Sequence, residues 1–336
     1  MSKHIRWTSL VFVAALFFAV AIVPANAEDT KPLKVFVLCG QSNMQGHANI
    51  RTFAPMRLDP KTAPILKEMT NDDGTPIVCD SIWISSIGCA EEVQVGKLTA
   101  GFGASKSGPK IGPEFTFGIY MQKLVDEPIL IIKTSWGGKS INTDFRPPSA
   151  VPFQFRDEQL QQFKDQGKDA EKIKADRAAA SGHYYRLMLG HVKKVIGVMG
   201  AGGPIAEYGP EKQRYAGIHG EFRKAMAAPA ALPEFKGNVA AVWTENYWDL
   251  ELDDLRAKDR EIKDAVKKLQ EEGKLDRGQA SAEIEKRRNE AFDARELEIL
   301  TTSTSNFEFH YLGSAKVMAQ IGKGFAEANF ELIKKQ

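Results

Sequence analysis

The sequence predicts an α/β fold built on a doubly wound, parallel sheet. Three observations carry that prediction. Short apolar runs at 34–39 (KVFVLC), 78–87 (VCDSIWISSI) and 128–134 (PILIIKT) have the length and β-branched composition of strands. The first ends at Gly40 and the third at Gly137-Gly138, where the backbone can turn sharply. Between the second and third, Ile111-Gly112-Pro113-Glu114 opens a helix that runs to about Val125. Strand, helix, strand with glycine punctuation is the pattern of a parallel β/α unit.

The elements follow in order. Residues 1–27 read as a secretory signal peptide, outside the fold. Lys3, His4 and Arg6 form a basic start, Leu10–Val23 is almost wholly apolar, and Ala25-Asn26-Ala27 supplies a small-x-small cleavage site. The apolar run is shorter than the roughly 20 residues that span a bilayer. The chain is therefore expected to be secreted or periplasmic, cleaved after Ala27, with no membrane attachment afterwards. Residues 28–336 are expected to form one domain. Residues 90–110 read as a Gly/Ser/Lys-rich loop, and 156–182 as a charged surface helix broken near Gly167. From Tyr184, Tyr185, Leu187, Met188, His191, Val192 and Val195 fall close to one helical face. That helix feeds a strand at 195–199 with almost no turn. A helix at 220–231 and a strand at 238–243 (NVAAVW) come next. Residues 250–298 are dense in charge and divided by Gly273 and Gly278. They read as an exposed αα-hairpin inserted between core elements, without the sustained heptad of a coiled coil. A Thr/Ser loop at 299–306 and an amphipathic helix at 312–333 close the chain.

Composition narrows the partners. The formal net charge is +2, with acids and bases interleaved and no basic face, so no nucleic-acid partner is expected. Three cysteines, Cys39, Cys79 and Cys89, are too few for a disulfide framework. Cys79 and Cys89 could pair in an oxidising compartment, whereas Cys39 in its apolar run reads as a small buried hydrophobe.

Ser42, in GQSNM at 40–44, is the candidate nucleophile. A turn straight after a buried parallel strand lies at the carboxyl end of the sheet, where α/β proteins bind ligands. A helix starting there aims unpaired N–H groups outward. A serine needs a base and oxyanion donors. Of six histidines, His4 leaves with the leader, and His183 and His191 read as helix surface or packing residues. His47 and His219 lie in expected loops and stay open as bases. His310, in FHYLGSAK, lies between a loop and a helix near the C-terminus and can reach over a site built from early strands. Ser42 N–H and one from Gly137 or Gly138 are candidate oxyanion donors. Trp136, Trp243, Tyr247 and Trp248 are candidates for stacking on a sugar ring, with core packing as the competing role.

GQSNM at 40–44, IGPE at 111–114, TSWGGKSI at 134–141 and HYLGSAK at 310–316 together resemble the SGNH/GDSL hydrolases. Within them they resemble the sialate O-acetylesterase and acetylxylan esterase group, carbohydrate esterase family six. The resemblance implies a flavodoxin-like three-layer α/β/α sandwich. It implies removal of O-acetyl groups from carbohydrates, sialic acid or acetylated plant and algal glycans, through an acyl-enzyme with no metal or cofactor. By position Ser42 is the nucleophile, His310 the base, Gly137 or Gly138 an oxyanion donor, and Gln41 and Asn43 members of the nucleophile turn. Glu114 reads as a buried structural acid.

Two departures from that group stand out. The group commonly carries an acid three residues before the histidine, and Phe307 stands there. Glu308 is then the candidate acid, with Glu245 and Asp249 as alternatives. The group also carries a Trp-x-Gln-Gly-x-Asn/Asp block after a central strand. Its nearest counterpart, VWTENYWD at 242–249, lacks Gln-Gly. The abrupt helix-to-strand junction near 195 suggests that a central strand and helix are missing. The alternative to a secreted esterase is thus an impaired homologue that still binds glycans or a partner. A phospholipase or thioesterase is a third possibility on the same fold.

Overall fold

The computed structural model describes residues 31–148, 150–194, 198–199, 224, 227–231, 233, 239–306 and 310–334. The leader, His219, Glu308 and half of 220–231 lie outside the described residues. All elements below belong to one compact unit, Pro32–Gln336.

Strand β1 (Lys34–Gly40) leads into a single helical turn, α1 (Ser42–Gln45). After β2 (Ala48–Asn49) and α2 (Ala63–Met69) come β3 (Ile82–Ile87), β4 (Gln94–Lys97) and β5 (Lys110–Ile111). Then α3 (Glu114–Leu124) precedes β6 (Ile129–Ser135). Three helices follow, α4 (Asp157–Asp165), α5 (Ala170–Ala180) and α6 (His183–Lys194), before the short strand β7 (Val198–Met199). The C-terminal part is helical: α7 (Leu250–Glu271), α8 (Arg277–Ala291), α9 (Ala294–Thr302) and α10 (Ala315–Ile333).

The main sheet runs β4-β3-β6-β1-β7. All its pairings are parallel except the edge pair β3–β4. Successive strand residues face opposite sides, and two contacts on β1 identify the layers. Phe36 meets Phe117 of α3 edge-on at 5.3 Å. Cys39, three residues on, turns its Sγ to Met188 of α6 at 3.1 Å. Helix α6 also places His191 Nε2 3.2 Å from Ser85 Oγ of β3. So α3 covers one face and α6 the other, which is the expected α/β/α sandwich. Helix α10 packs on α3 at Gly322, where a β-carbon would collide with Thr116 Oγ1 and the Pro113 carbonyl. The core on that side gathers Leu38, Ile84, Ile131, Phe115, Phe117 and Ile321.

The charged segment forms the expected hairpin of α7 and α8, turning at Gly273 with φ +71°. Arg288 grips the buried Asp259 through Nε (2.7 Å) and Nη2 (3.0 Å). The base of the hairpin is not an appendage, because Leu252 and Leu255 join the main core. The break at Gly167 falls between α4 and α5 as expected, with φ +68°.

Several expectations are corrected. Residues 90–110 include β4, which a loop-like composition hides because an edge strand exposed to solvent needs no apolar alternation. Residues 239–243 form no strand, and the chain enters a 3₁₀ turn at Thr244–Tyr247. That run has two central alanines, which are weak strand formers, and no ladder partner among the described residues. Helix α9 extends to Thr302, into the expected loop, because Asp293 and Glu296 form a capping box and Ile299 and Leu300 are buried. Cys39 is exposed rather than buried, since it lies on the α6 side of β1. All three cysteines are free thiols, with Cys89 buried.

Candidate active site

The turn that carries the candidate nucleophile begins where β1 ends. Gly40 allows Met44 to fold back over it, since a β-carbon there would lie 2.7 Å from Met44 Cβ. Ser42 and Asn43 open α1 and are both buried, at 6% and 8% exposure. Ser42 Oγ donates to Gln41 Oε1 at 2.9 Å. Asn43 is the unusual neighbour, for neither end of its amide has a hydrogen-bond partner. A buried unpaired amide costs about 1–3 kcal/mol, and such an orphan calls for a ligand or a catalytic explanation.

The turn is anchored from below. Lys133 on β6 is fully buried and donates to Glu114 Oε2 (2.7 Å), the Phe102 carbonyl (2.8 Å) and the Gln45 carbonyl at the end of α1 (2.9 Å). Glu114 Oε1 accepts the Gly112 N–H at 2.9 Å. Glu114 is therefore a structural acid, as expected, whose partner fixes the nucleophile turn. Gly46 follows with φ +82°, its backbone against Gly112, and no β-carbon fits between them.

Gly137 comes next to this turn. A β-carbon on it would sit 2.7 Å from Gln45 Oε1 and 3.8 Å from Ser42 Cβ. Gly138 follows with φ +69° and open space around it. Gln45 Nε2 donates to the Gly88 carbonyl at 2.6 Å, binding the β3 and α1 ends together. Trp136 sits beside the glycines in a cluster with Tyr184 (5.3 Å) and Phe145 (6.0 Å). Of the other aromatic candidates, Trp248 is buried, and the Tyr247 hydroxyl packs against Gly324 of α10. Both serve packing. Trp243 is exposed.

The C-terminal loop brings His310 to the segment that follows the turn. The Ser305 hydroxyl accepts the Asn49 N–H (3.0 Å) and reaches the carbonyls of His47 (3.0 Å) and Gly313 (2.8 Å). Asn306 N–H donates to the Leu312 carbonyl at 3.0 Å. His310, Tyr311, Leu312 and Gly313 all have positive φ, 53° to 60° for the first three. Each non-glycine residue held there costs about 1–2 kcal/mol, and strain of this kind gathers at functional sites. The bend lays the His310 ring on His47, with centroids 3.9 Å apart and planes at 14°. It also sets His310 Nδ1 3.0 Å from Asn306 Nδ2.

The electrostatics keep both rings neutral. Burial, then the charges of His310, Lys110 and Lys133, lowers His47 to about 4. Burial and then Lys110 lower His310. A neutral imidazole is the form that accepts a proton.

The remaining candidates fall elsewhere. Asp249 Oδ1 caps α7 at the Leu252 N–H (3.3 Å) and pairs with Lys316 (2.9 Å), away from the His310 ring, while its buried Oδ2 has no hydrogen-bond partner. Glu245 lies in the 3₁₀ turn. His183 is exposed against Tyr184. His191 is buried against Ser85. Sequence reasoning missed Asn306 and the pairing of His47 with His310. Asn306 was visible only as a neighbour of the expected acid position. Among the described residues no group of three or more His, Cys, Asp or Glu is placed to hold a metal ion.

Residues 32–175 match the family of carbohydrate esterases described as sialic acid-specific acetylesterases. The match spans Ser42, Glu114, Lys133 and Gly137-Gly138, and stops short of His310. Comparison with curated proteins gives no match.

Proposed function

From the membership of residues 32–175 in the sialic acid-specific acetylesterase family of the SGNH hydrolases, we propose that this chain is an exported serine esterase that removes O-acetyl groups from carbohydrates. The observation that carries the reading is the seating of the His310 loop on the chain just after the Ser42 turn, through His47 and Ser305.

The residues take these roles. Ser42 Oγ attacks the acetyl carbonyl while His310 accepts its proton through Nε2. The developing oxyanion is met by the Ser42 N–H, a Gly137 or Gly138 N–H, and Asn43 Nδ2, a buried amide nitrogen with no hydrogen-bond partner in the resting protein. Gln41 holds the Ser42 hydroxyl before substrate arrives. His310 returns the proton to the departing sugar oxygen, leaving acetyl-Ser42. Water, deprotonated by His310, then releases acetate. Trp136 offers a face for the sugar ring.

Hydrolysis of 4-nitrophenyl acetate and of O-acetylated sialic acid tests the reading. Turnover is expected to disappear in Ser42→Ala and His310→Ala. Turnover that survives Ser42→Ala rejects the assignment.

A second reading is a glycan-binding homologue with weakened turnover. One observation favours it: only residues 195–197 separate α6 from β7, which leaves no room for the Gln-Gly segment that the sequence lacks. Losing one oxyanion donor costs about 3–4 kcal/mol of transition-state stabilisation. Asn43 offsets that loss in the first reading.

A further inference from the structure

We propose that Lys139 is the specificity-determining residue of the cleft, the cation that receives the carboxylate of an acidic sugar whose acetyl group is presented to Ser42. The proposal rests on the esterase reading of Ser42. It decides between two substrate classes, acetylated sugar acids and neutral acetylated glycans such as xylan, in favour of the first.

The chain places Lys139 close to the reacting centre. Gly137 comes within van der Waals reach of Ser42, since a β-carbon on it would lie 3.8 Å from Ser42 Cβ. Lys139 is two residues on, so its Cα lies within about 7–8 Å of that of Gly137. Its ammonium sits over the Tyr184 ring, 4.5 Å from the centroid. Tyr184 in turn meets Trp136 edge-on at 5.3 Å and Phe145 at 6.2 Å. Backbone hydrogen bonds hold these rings together. Tyr184 N–H donates to the Asp144 carbonyl at 3.0 Å, and Gly182 N–H to the Thr143 carbonyl at 2.8 Å. Gly88, at φ +91°, makes room for Trp136, because a β-carbon there would lie 2.6 Å from the indole Cδ1 and Nε1. Trp136, Lys139 and Tyr184 are all half-buried. A sugar stacked on Trp136 therefore has Ser42 to one side along the chain and a held ammonium to the other.

The way Lys139 is held suits it to an anion. A ring face attracts an ammonium through the ring's quadrupole and does not cancel its charge. A lysine brings three N–H donors, and one of them directed at the substrate is enough. The acid of the same loop, Asp144, spends its carboxylate locally, accepting the Ser140 N–H at 2.9 Å and the Thr143 hydroxyl at 3.3 Å. A sugar carboxylate reaching Lys139 gains a charge-assisted hydrogen bond. A neutral sugar in the same place covers the ammonium without answering its charge, and is selected against for that reason.

The test is the ratio of kcat/KM for O-acetylated N-acetylneuraminic acid to kcat/KM for acetylated xylo-oligosaccharide, measured in one protein so that any loss of folded enzyme cancels. The wild type is expected to favour the acid. Lys139→Met is expected to lower the ratio about tenfold or more, the worth of a hydrogen bond to a charged group, with the change in KM rather than kcat. Lys139→Arg is expected to keep most of the preference. Raising the salt from about 0.05 M to about 0.5 M should erode the wild-type ratio and leave that of Lys139→Met level. A wild type that favours the neutral substrate, or a ratio unmoved in Lys139→Met, overturns the proposal. Binding separates this outcome from failure of the esterase reading. Ser42→Ala is titrated with N-acetylneuraminic acid and with its uncharged methyl ester. If the wild type hydrolyses no ester but the acid binds more tightly than the methyl ester, and Lys139→Met abolishes the difference, the subsite stands and the esterase reading fails. Equal binding of the two, or binding of neither, overturns the subsite.

Discussion

His310 lies flat on His47, ring centroids 3.9 Å apart and planes at 14°. The two residues are far apart in sequence, one just after the Ser42 turn and one just before α10. Their stacking is what joins the C-terminal loop to the nucleophile end of the sheet. Two stacked imidazoles cannot both be charged at little cost, so the pair stays neutral, the form in which an imidazole can accept a proton.

The stack makes stability depend on pH in a known direction. His47 is lowered in the folded chain to about 4 from an ordinary 6.5. Between those values the unfolded chain binds the proton and the folded chain does not. Stability is therefore full above about pH 6.5 and falls as pH drops toward 4. Urea titrations from pH 7 to pH 4 are expected to show a steeper loss in the wild type than in His47→Phe, which keeps a stacking ring without the proton. Parallel curves for the two proteins contradict the assignment.

Asn43 gives a prediction in which activity and stability part company. Its amide is buried and unpaired at rest. Asn43→Ala is expected to lower kcat by about 10²–10³, the cost of one oxyanion donor. Its melting temperature is expected to stay level or rise, since an unsatisfied buried group is removed. A melting temperature several degrees lower with kcat unchanged points instead to a packing role.

The buried Lys133–Glu114 pair tests how the nucleophile turn is held. Lys133→Met leaves Glu114 charged and unpaired in the core, which costs about 3–5 kcal/mol. It also frees the Gln45 carbonyl at the end of α1. Chemical denaturation should show the loss, and a Lys133→Met/Glu114→Gln double variant should recover part of it. Activity should not recover in the double variant, because the anchor to Gln45 is still missing.

Gly46 is the tightest point beneath the site. Its φ of +82° and its contact with the Gly112 backbone leave no place for a side chain. Gly46→Ala is expected to lower both the melting temperature and kcat, whereas Gly74→Ala, at φ +80° with open space around it, should affect stability alone. Equal kcat in the two variants removes Gly46 from the account.

Much of this was legible in the sequence. The apolar strands, the glycines that end them and the GQSNM turn identified the sheet, its carboxyl edge and Ser42. Local pattern failed where structure is set by distant partners. Strand β4 is an exposed edge and carries no apolar signature. The run at 239–243 looks like a strand but finds nothing to pair with among the described residues. Cys39 belongs to an apolar run yet falls on the α6 side of its strand, where it stays exposed. The contact of Asn306 with His310 depends on three left-handed non-glycine residues in a row, which no residue preference announces. Glu308, the acid expected from position, lies outside the described residues, while Asn306 and His47 are in contact with the ring.

The central claim is that Ser42 attacks the ester. Its most direct test is covalent capture: the protein is treated with diethyl 4-nitrophenyl phosphate and the modified peptide is located by mass spectrometry. The account predicts one diethylphosphoryl group on Ser42, loss of acetyl-ester hydrolysis in step with labelling, and slow labelling in His310→Ala. Labelling on another residue, or full hydrolysis by a protein whose Ser42 is fully modified, contradicts it.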